Sequence, residues 1–109
     1  MTVSTHVLDA SAGRPATGVP TALLFREPPG DWLHVESCET DGDGRHRFAA
    51  ATEPGTYRLV FGTGPYFAAR AMATFYPEVA ITFTIADPAA HYHVPLLLSP
   101  FAYSTYRGS

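Results

Sequence analysis

The chain has 109 residues, which is enough for one hydrophobic core but not for two, so residues 1–109 are expected to form a single domain. Hydrophobic residues make up 46% and charged residues 16%, which excludes a disordered tail or a coiled coil, and no apolar run approaches a membrane span. The formal net charge is −3, all seven bases are arginine, and no basic stripe appears, which argues against nucleic acid as a partner.

The opening Met-Thr-Val-Ser-Thr-His has neither the basic start nor the apolar core of a secretory signal, so a cytoplasmic location is expected. Cys38 stands alone, leaving no internal disulfide and no cysteine zinc site. With one core and no cross-link, oligomerisation is a ready further source of stability.

Period-two alternation dominates the chain, cut into short pieces by ten Pro and nine Gly. Residues 2–8 place Val3, Thr5 and Val7 on one strand face and Ser4, His6 and Leu8 on the other. Residues 9–18 are turn chemistry, 19–25 a second strand, and 26–31 a loop around Pro28-Pro29-Gly30. Residues 32–38 predict a strand polar enough for a sheet edge; 40–44 predict a turn, and 45–49 a short strand. Residues 55–61 alternate Tyr57, Leu59 and Phe61 against Arg58 and Val60. The period then changes. Thr63-Gly64-Pro65 reads as a helix cap with Pro in the first turn, followed by an Ala-rich helix over 66–73 that stops before Pro77. Strands follow at 79–85, 91–98 and 102–107. About eight short strands and one helix predict an all-β sandwich.

Three places could do chemistry. His6 stands alone on the opening strand, where it is either a structural histidine or a catalytic one. Arg45 follows the Asp43-Gly44 turn, where a solvated arginine is the plainer alternative. In His91-Tyr92-His93, alternation puts both imidazoles on the face opposite Val94, Leu96 and Leu98. A His-x-His pair raises a zinc reading, with His6 as the remaining ligand to hand, although no carboxylate is implied by spacing. Serine-nucleophile, phosphate-loop and paired-carboxylate motifs are absent. The ending Tyr106-Arg107-Gly108-Ser109 is unusual where a frayed tail is the norm.

Ser4-Thr5-His6-Val7-Leu8-Asp9, with Gly13-Arg14-Pro15-Ala16 and Gly18-Val19, resembles the N-terminal signature of the 5-hydroxyisourate hydrolases, the transthyretin-like proteins of urate breakdown. Thr40-x-x-Asp43-Gly44-Arg45 is similar to the middle motif of that family, and Phe75-Tyr76-Pro77-Glu78 to the lead-in of a later strand. The block from His91 to Pro100, then Tyr103 to Ser109, resembles the family's C-terminal block, whose most specific mark is Tyr-Arg-Gly-Ser.

The resemblance implies a transthyretin-like β-sandwich of two four-stranded sheets with one short helix. It further implies a homotetramer, a dimer of dimers with sites at the dimer–dimer interface. The activity implied is hydrolytic opening of 5-hydroxyisourate without a cofactor or metal. By motif position the catalytic residues are His6, Arg45 and His93, with Tyr106, Arg107 and Ser109 completing the pocket; His91 is implied to be supporting rather than catalytic. Histidine suits the activation of water near neutral pH, and arginine the developing oxyanion. The alternative from another class is a transthyretin-like carrier of a small aromatic ligand.

Overall fold

Strand β1, Thr2–Asp9, buries every second residue, turning Val3, Thr5, Val7 and Asp9 inward and leaving Ser4, His6 and Leu8 half-exposed on the opposite face. The computed structural model describes residues 2–51 and 53–109. Eight further strands follow: β2 Arg14–Pro15, β3 Pro20–Glu27, β4 Asp31–Glu39, β5 Arg45–Phe48, β6 Gly55–Phe61, β7 Val79–Ile85, β8 His91–Ser99 and β9 Ala102–Thr105. One helix, α1, spans Thr63–Ala68 between β6 and β7.

The strands form two sheets. One has the order β4-β3-β6-β7, with β4 at an edge as its polar sequence predicts. The other runs β2-β1-β8-β9, with β5 also paired to β1. Val3 to His6 pair with Phe48 to Arg45, while Leu8 and Asp9 pair with Pro15 and Arg14. β5 and β2 therefore share one side of β1, and five segments make a sheet four strands wide. β1 and β8 are parallel, from Thr2 opposite His91 to Asp9 opposite Leu98. Between the sheets lie Val3, Val7, Leu96 and Leu98 from one side and Leu23, Leu59, Phe61 and Val79 from the other. The faces read from alternation in β1, β6 and β8 are the faces observed. No helix among the described residues is long and apolar enough to cross a membrane.

The helix departs from its expected span of 66–73. It begins at Thr63 and ends at Ala68, and Thr63 is not its cap. Gly62 takes the N-cap position without a side-chain bond, while the buried Thr63 hydroxyl donates to the Tyr76 carbonyl at 3.0 Å. Ala71 turns left-handed (φ 56°) and the Met72 N–H closes on the Phe67 carbonyl at 3.0 Å. Alanine favours helix wherever it occurs, but Phe67 and Tyr66 are buried within the first turn and a half, and the chain then turns back toward Pro77.

The last strand is also shorter than the expected 102–107. Its ladder ends at Thr105, beside Pro95, which has no N–H to offer. The Thr105 hydroxyl instead donates to the Pro95 carbonyl at 2.7 Å.

At the other side of the sandwich, a register shift between Leu23 and Leu24 turns Glu36 of β4 inward, opposite Leu23. There its carboxylate meets His46 of β5 at 2.8 Å and accepts the N–H groups of Ala49 and Ala50. This contact joins one sheet to the other at their edges.

Asp9 ties the helix to β1. Its buried carboxylate accepts from the Tyr66 hydroxyl at 2.7 Å, the Ser11 hydroxyl at 2.6 Å, and the N–H groups of Ser11 and Ala12 at 3.0 Å each. Burial alone would raise its pKa, but the hydrogen bonds from Ser11, Tyr66 and Ala12 outweigh it and hold the carboxyl below its ordinary range. A depressed carboxyl stabilises the fold above the ordinary pKa near 3.8 and ceases to do so as pH falls through the folded value. Asp9→Ala is expected to cost about 2–4 kcal/mol at neutral pH, since four donors lose their acceptor. Urea melts at neutral pH and near pH 3 will check this, the gap between variant and wild type narrowing in acid.

Candidate active site

The parallel pairing of β1 with β8, and the antiparallel pairing of β1 with β5, carry three sets of polar side chains onto one outer face. Register places Ser4 between His93 and Arg47, and His6 between Pro95 and Arg45. A groove of about 360 Å³ lies over this face, lined by Ser4, Asp41, Arg45, His46, Arg47, His91, His93 and Ser109. That volume is near the lower end of small-molecule sites, roughly 300–1,000 Å³. A single small heterocycle fits it.

The Asp41–Gly44 turn sets Arg45. The Asp41 carboxylate accepts the N–H groups of Asp43 at 2.9 Å and Arg45 at 3.0 Å, and these bonds hold its pKa below the ordinary range. Gly44 has a φ of 74°, and a Cβ there would stand 2.4 Å from the Val7 carbonyl oxygen, which leaves room for glycine alone. Val7 in turn donates its N–H to Gly44 at 2.7 Å. The turn is thereby locked to β1, with Arg45 beside His6.

His93 is half-buried. Its Nδ1 lies 2.8 Å from the Ser4 hydroxyl, and its ring stacks on that of His91 at 6.3 Å between centroids and 13° between planes. Burial first, then the positive charges of His91, His6 and Arg45, lower its pKa; only a contact with the Ser4 backbone opposes them. A lowered pKa keeps the imidazole neutral, with a free lone pair, at physiological pH.

The chain's end comes back to this histidine. The Gly108 N–H donates to the His93 carbonyl at 2.9 Å, forming an isolated antiparallel bridge. A Cβ on residue 108 would stand 2.4 Å from Cδ2 of the His93 ring, so the approach requires glycine. Ser109 follows into the groove.

Of the residues expected at the site, Arg45, His93 and Ser109 meet in the groove, and His6 lies on the same face of β1 opposite Arg45, near enough to bear electrostatically on His93 but not lining the groove. Tyr106 and Arg107 do not join them within one chain. They line a cavity of about 250 Å³ between the sheets, with Ile81, Phe83, Tyr92 and Val94, and His93 borders both spaces. The Arg107 guanidinium lies over the Tyr92 ring, 4.6 Å from its centroid. Sequence reasoning missed Thr2 and Ser4, whose hydroxyls contact the histidine rings. Alternation already put Ser4 on the His6 face; the strand next to it was the missing information.

Among the described residues no three His, Cys, Asp or Glu side chains are placed to share a metal ion. Cys38 is not among the residues that line the groove. Burial, then the carboxylates of Glu36 and Glu39, push its thiol up to about 11, which keeps it protonated.

The sequence profile of the HIUase/Transthyretin family matches residues 3–108. The 5-hydroxyisourate hydrolase of Salmonella typhimurium is 44% identical over 110 residues, spanning 98% of this chain and 80% of that protein. The solved 5-hydroxyisourate hydrolase of Klebsiella pneumoniae superposes with a TM-score of 0.87 at 39% identity over the full length of both chains. Transthyretin from Sparus aurata superposes with a TM-score of 0.89 at 30% identity, covering 97% of this chain and 95% of that one. From its opening strand to its returning C-terminus, this chain belongs to the HIUase/Transthyretin family.

Proposed function

We propose that this protein is a 5-hydroxyisourate hydrolase, opening the cyclic amide of its substrate with water to give 2-oxo-4-hydroxy-4-carboxy-5-ureidoimidazoline on the route from urate to allantoin. The observation that carries this reading is the meeting of His93, Arg45 and Ser109 in one groove, in a chain whose relatives bear that name. The neutral imidazole of His93 takes a proton from water as its oxygen adds to the amide carbonyl. Arg45 holds the resulting oxyanion with its planar, permanently charged fork. His6 protonates the departing ring nitrogen as the C–N bond breaks, leaving a carboxylate and a ureido group. Ser109 bounds the substrate in the groove, Tyr106 and Arg107 do so only where the assembly brings them to it, and no cofactor enters the reaction.

The test is direct. 5-Hydroxyisourate made in place by urate oxidase decays with a measurable loss of absorbance, and the protein should speed that decay severalfold or more. A carrier of a small aromatic ligand would leave the decay unchanged. Arg45→Lys keeps the charge but loses the two-point fork, so kcat/KM should fall by about tenfold or more with little change in melting temperature. A lysine variant with wild-type rates would return Arg45 to a solvated surface role.

The assembly we propose is a homotetramer, a dimer of dimers that completes the site across an interface. β7 and β9 are open sheet edges, and Phe75, Phe101, Tyr103 and Tyr106 stand exposed near that side of the chain. Mass in solution should come near four times the chain mass of 11.8 kDa, as light scattering will read. A fully active monomer would sink the interface model. We place the reaction in the cytoplasm, in keeping with a single unpaired cysteine, and cell fractionation checks this.

A further inference from the structure

We infer that Ser4 is a positioning residue for His93: its hydroxyl accepts the Nδ1–H of that imidazole and so presents Nε2 to the groove as the basic nitrogen. The inference rests on the reading of His93 as the base.

The geometry comes from the parallel ladder. Ser4 lies opposite His93 and Thr2 opposite His91, so hydroxyl and imidazole residues stand side by side on one face. The Ser4 Oγ is 2.8 Å from Nδ1 of His93 and 3.3 Å from Nε2 of His91, and the Thr2 hydroxyl contacts Nδ1 of His91. One serine hydroxyl thus bridges two rings. It has one proton to donate and lone pairs to accept with, so it cannot donate to both nitrogens.

Two directions run unbroken along the chain. In one, His93 Nδ1–H donates to Ser4, the Ser4 O–H donates to His91 Nε2, and His91 Nδ1–H donates to Thr2. In the other every donor is reversed, which leaves the proton of His93 on Nε2 and its lone pair spent on Ser4. The first direction leaves Nε2 able to take a proton from water, as does the arrangement in which Ser4 accepts from both rings and Thr2 donates to His91. Among the described residues Nε2 makes no hydrogen bond, and Gly108 packs against the adjoining Cδ2. The hydrogen bond made by one ring nitrogen decides the state of the other.

The groups that act on this imidazole come from every neighbouring segment. Ser4 and His6 on β1, Arg45 on β5 and His91 on its own strand bear on it directly, while Asp41, His46, Arg47 and Ser109 share its groove and Arg107 the cavity on its other side. In this setting an acceptor at Nδ1 favours the imidazolium. Removing that acceptor should lower the His93 pKa further.

Ser4→Ala should therefore lower kcat by about tenfold or more with a smaller change in KM, and move the acid limb of the pH profile to lower pH. In the substrate-free protein, nitrogen-15 shifts of His93 should report the Nδ1–H tautomer in wild type and a mixture of tautomers in Ser4→Ala. Ser4→Thr keeps the hydroxyl and should restore rate, profile and tautomer. Ser4→Cys, close in size but a weak acceptor, should behave like alanine and serves if alanine unsettles the strand. Wild-type kcat and unchanged nitrogen shifts in Ser4→Ala, or threonine as damaging as alanine, would overturn the inference. A fully active His93→Asn would instead overturn the assignment of the base, while the nitrogen shifts would still report whether Ser4 sets the tautomer.

Discussion

Asparagine in place of His93 will cut turnover of 5-hydroxyisourate by about 10²-fold or more, the range lost when a general base is removed. Asparagine retains a polar group of similar reach, so the Ser4 contact and the fold should survive and circular dichroism should be unchanged. What disappears is the titratable nitrogen. Because imidazole acts as a base only when neutral, wild-type kcat/KM should fall as pH drops below the folded pKa of His93. Burial and the neighbouring cations hold that pKa under the ordinary 6.5, so the fall belongs on the acid side of 6.5. The same limb should be missing from His93→Asn. His6→Asn should lose comparable turnover if it protonates the leaving nitrogen. His91→Asn should lose much less, since its exposed ring touches His93 only through the stack and Ser4. Should His91→Asn prove the most damaging of the three, the roles on β8 have been exchanged.

Removal of Arg107, Gly108 and Ser109 will abolish most turnover and leave the chain folded. Arg107 and Ser109 are exposed, and the interaction of Arg107 with Tyr92 is worth only ~0.5–1 kcal/mol at such a site, so the melting temperature should fall by a few degrees at most. The loss of activity has a different origin. The segment supplies Ser109 to the groove, packs Gly108 on the His93 ring, and bonds the His93 backbone at 2.9 Å. Gly108→Ala isolates the packing. Its methyl would stand 2.4 Å from Cδ2, and the ring cannot retreat without stretching its bond to Ser4. Turnover should therefore fall by about tenfold or more in Gly108→Ala, through kcat more than KM. A truncated protein with wild-type rates would reduce the ending to an ordinary frayed tail.

The strand faces were legible in the sequence because burial alternates with a period of two whatever strand lies alongside. Val3, Thr5 and Val7 had to oppose Ser4 and His6, and Val94, Leu96 and Leu98 had to oppose His91 and His93. The Asp41–Gly44 turn was legible for a similar reason, since its carboxylate and glycine act within four residues. The resemblance of the three motifs to the hydrolase family supplied the site residues themselves. Other features depended on tertiary contacts. Alanine-rich sequence extended the helix to residue 73, but burial of Phe67 and Tyr66 and the return toward Pro77 ended it at Ala68. Whether Arg107 turns to the groove or to the space between the sheets was likewise undetermined until Tyr92 was placed beneath it. The meeting of Ser4 with His93 belongs here too. The two residues are 89 positions apart, and strand alternation says which face each occupies but not which strands are neighbours or in what register. Those depend on how two whole sheets close over one core, and that choice set a serine hydroxyl against the imidazole.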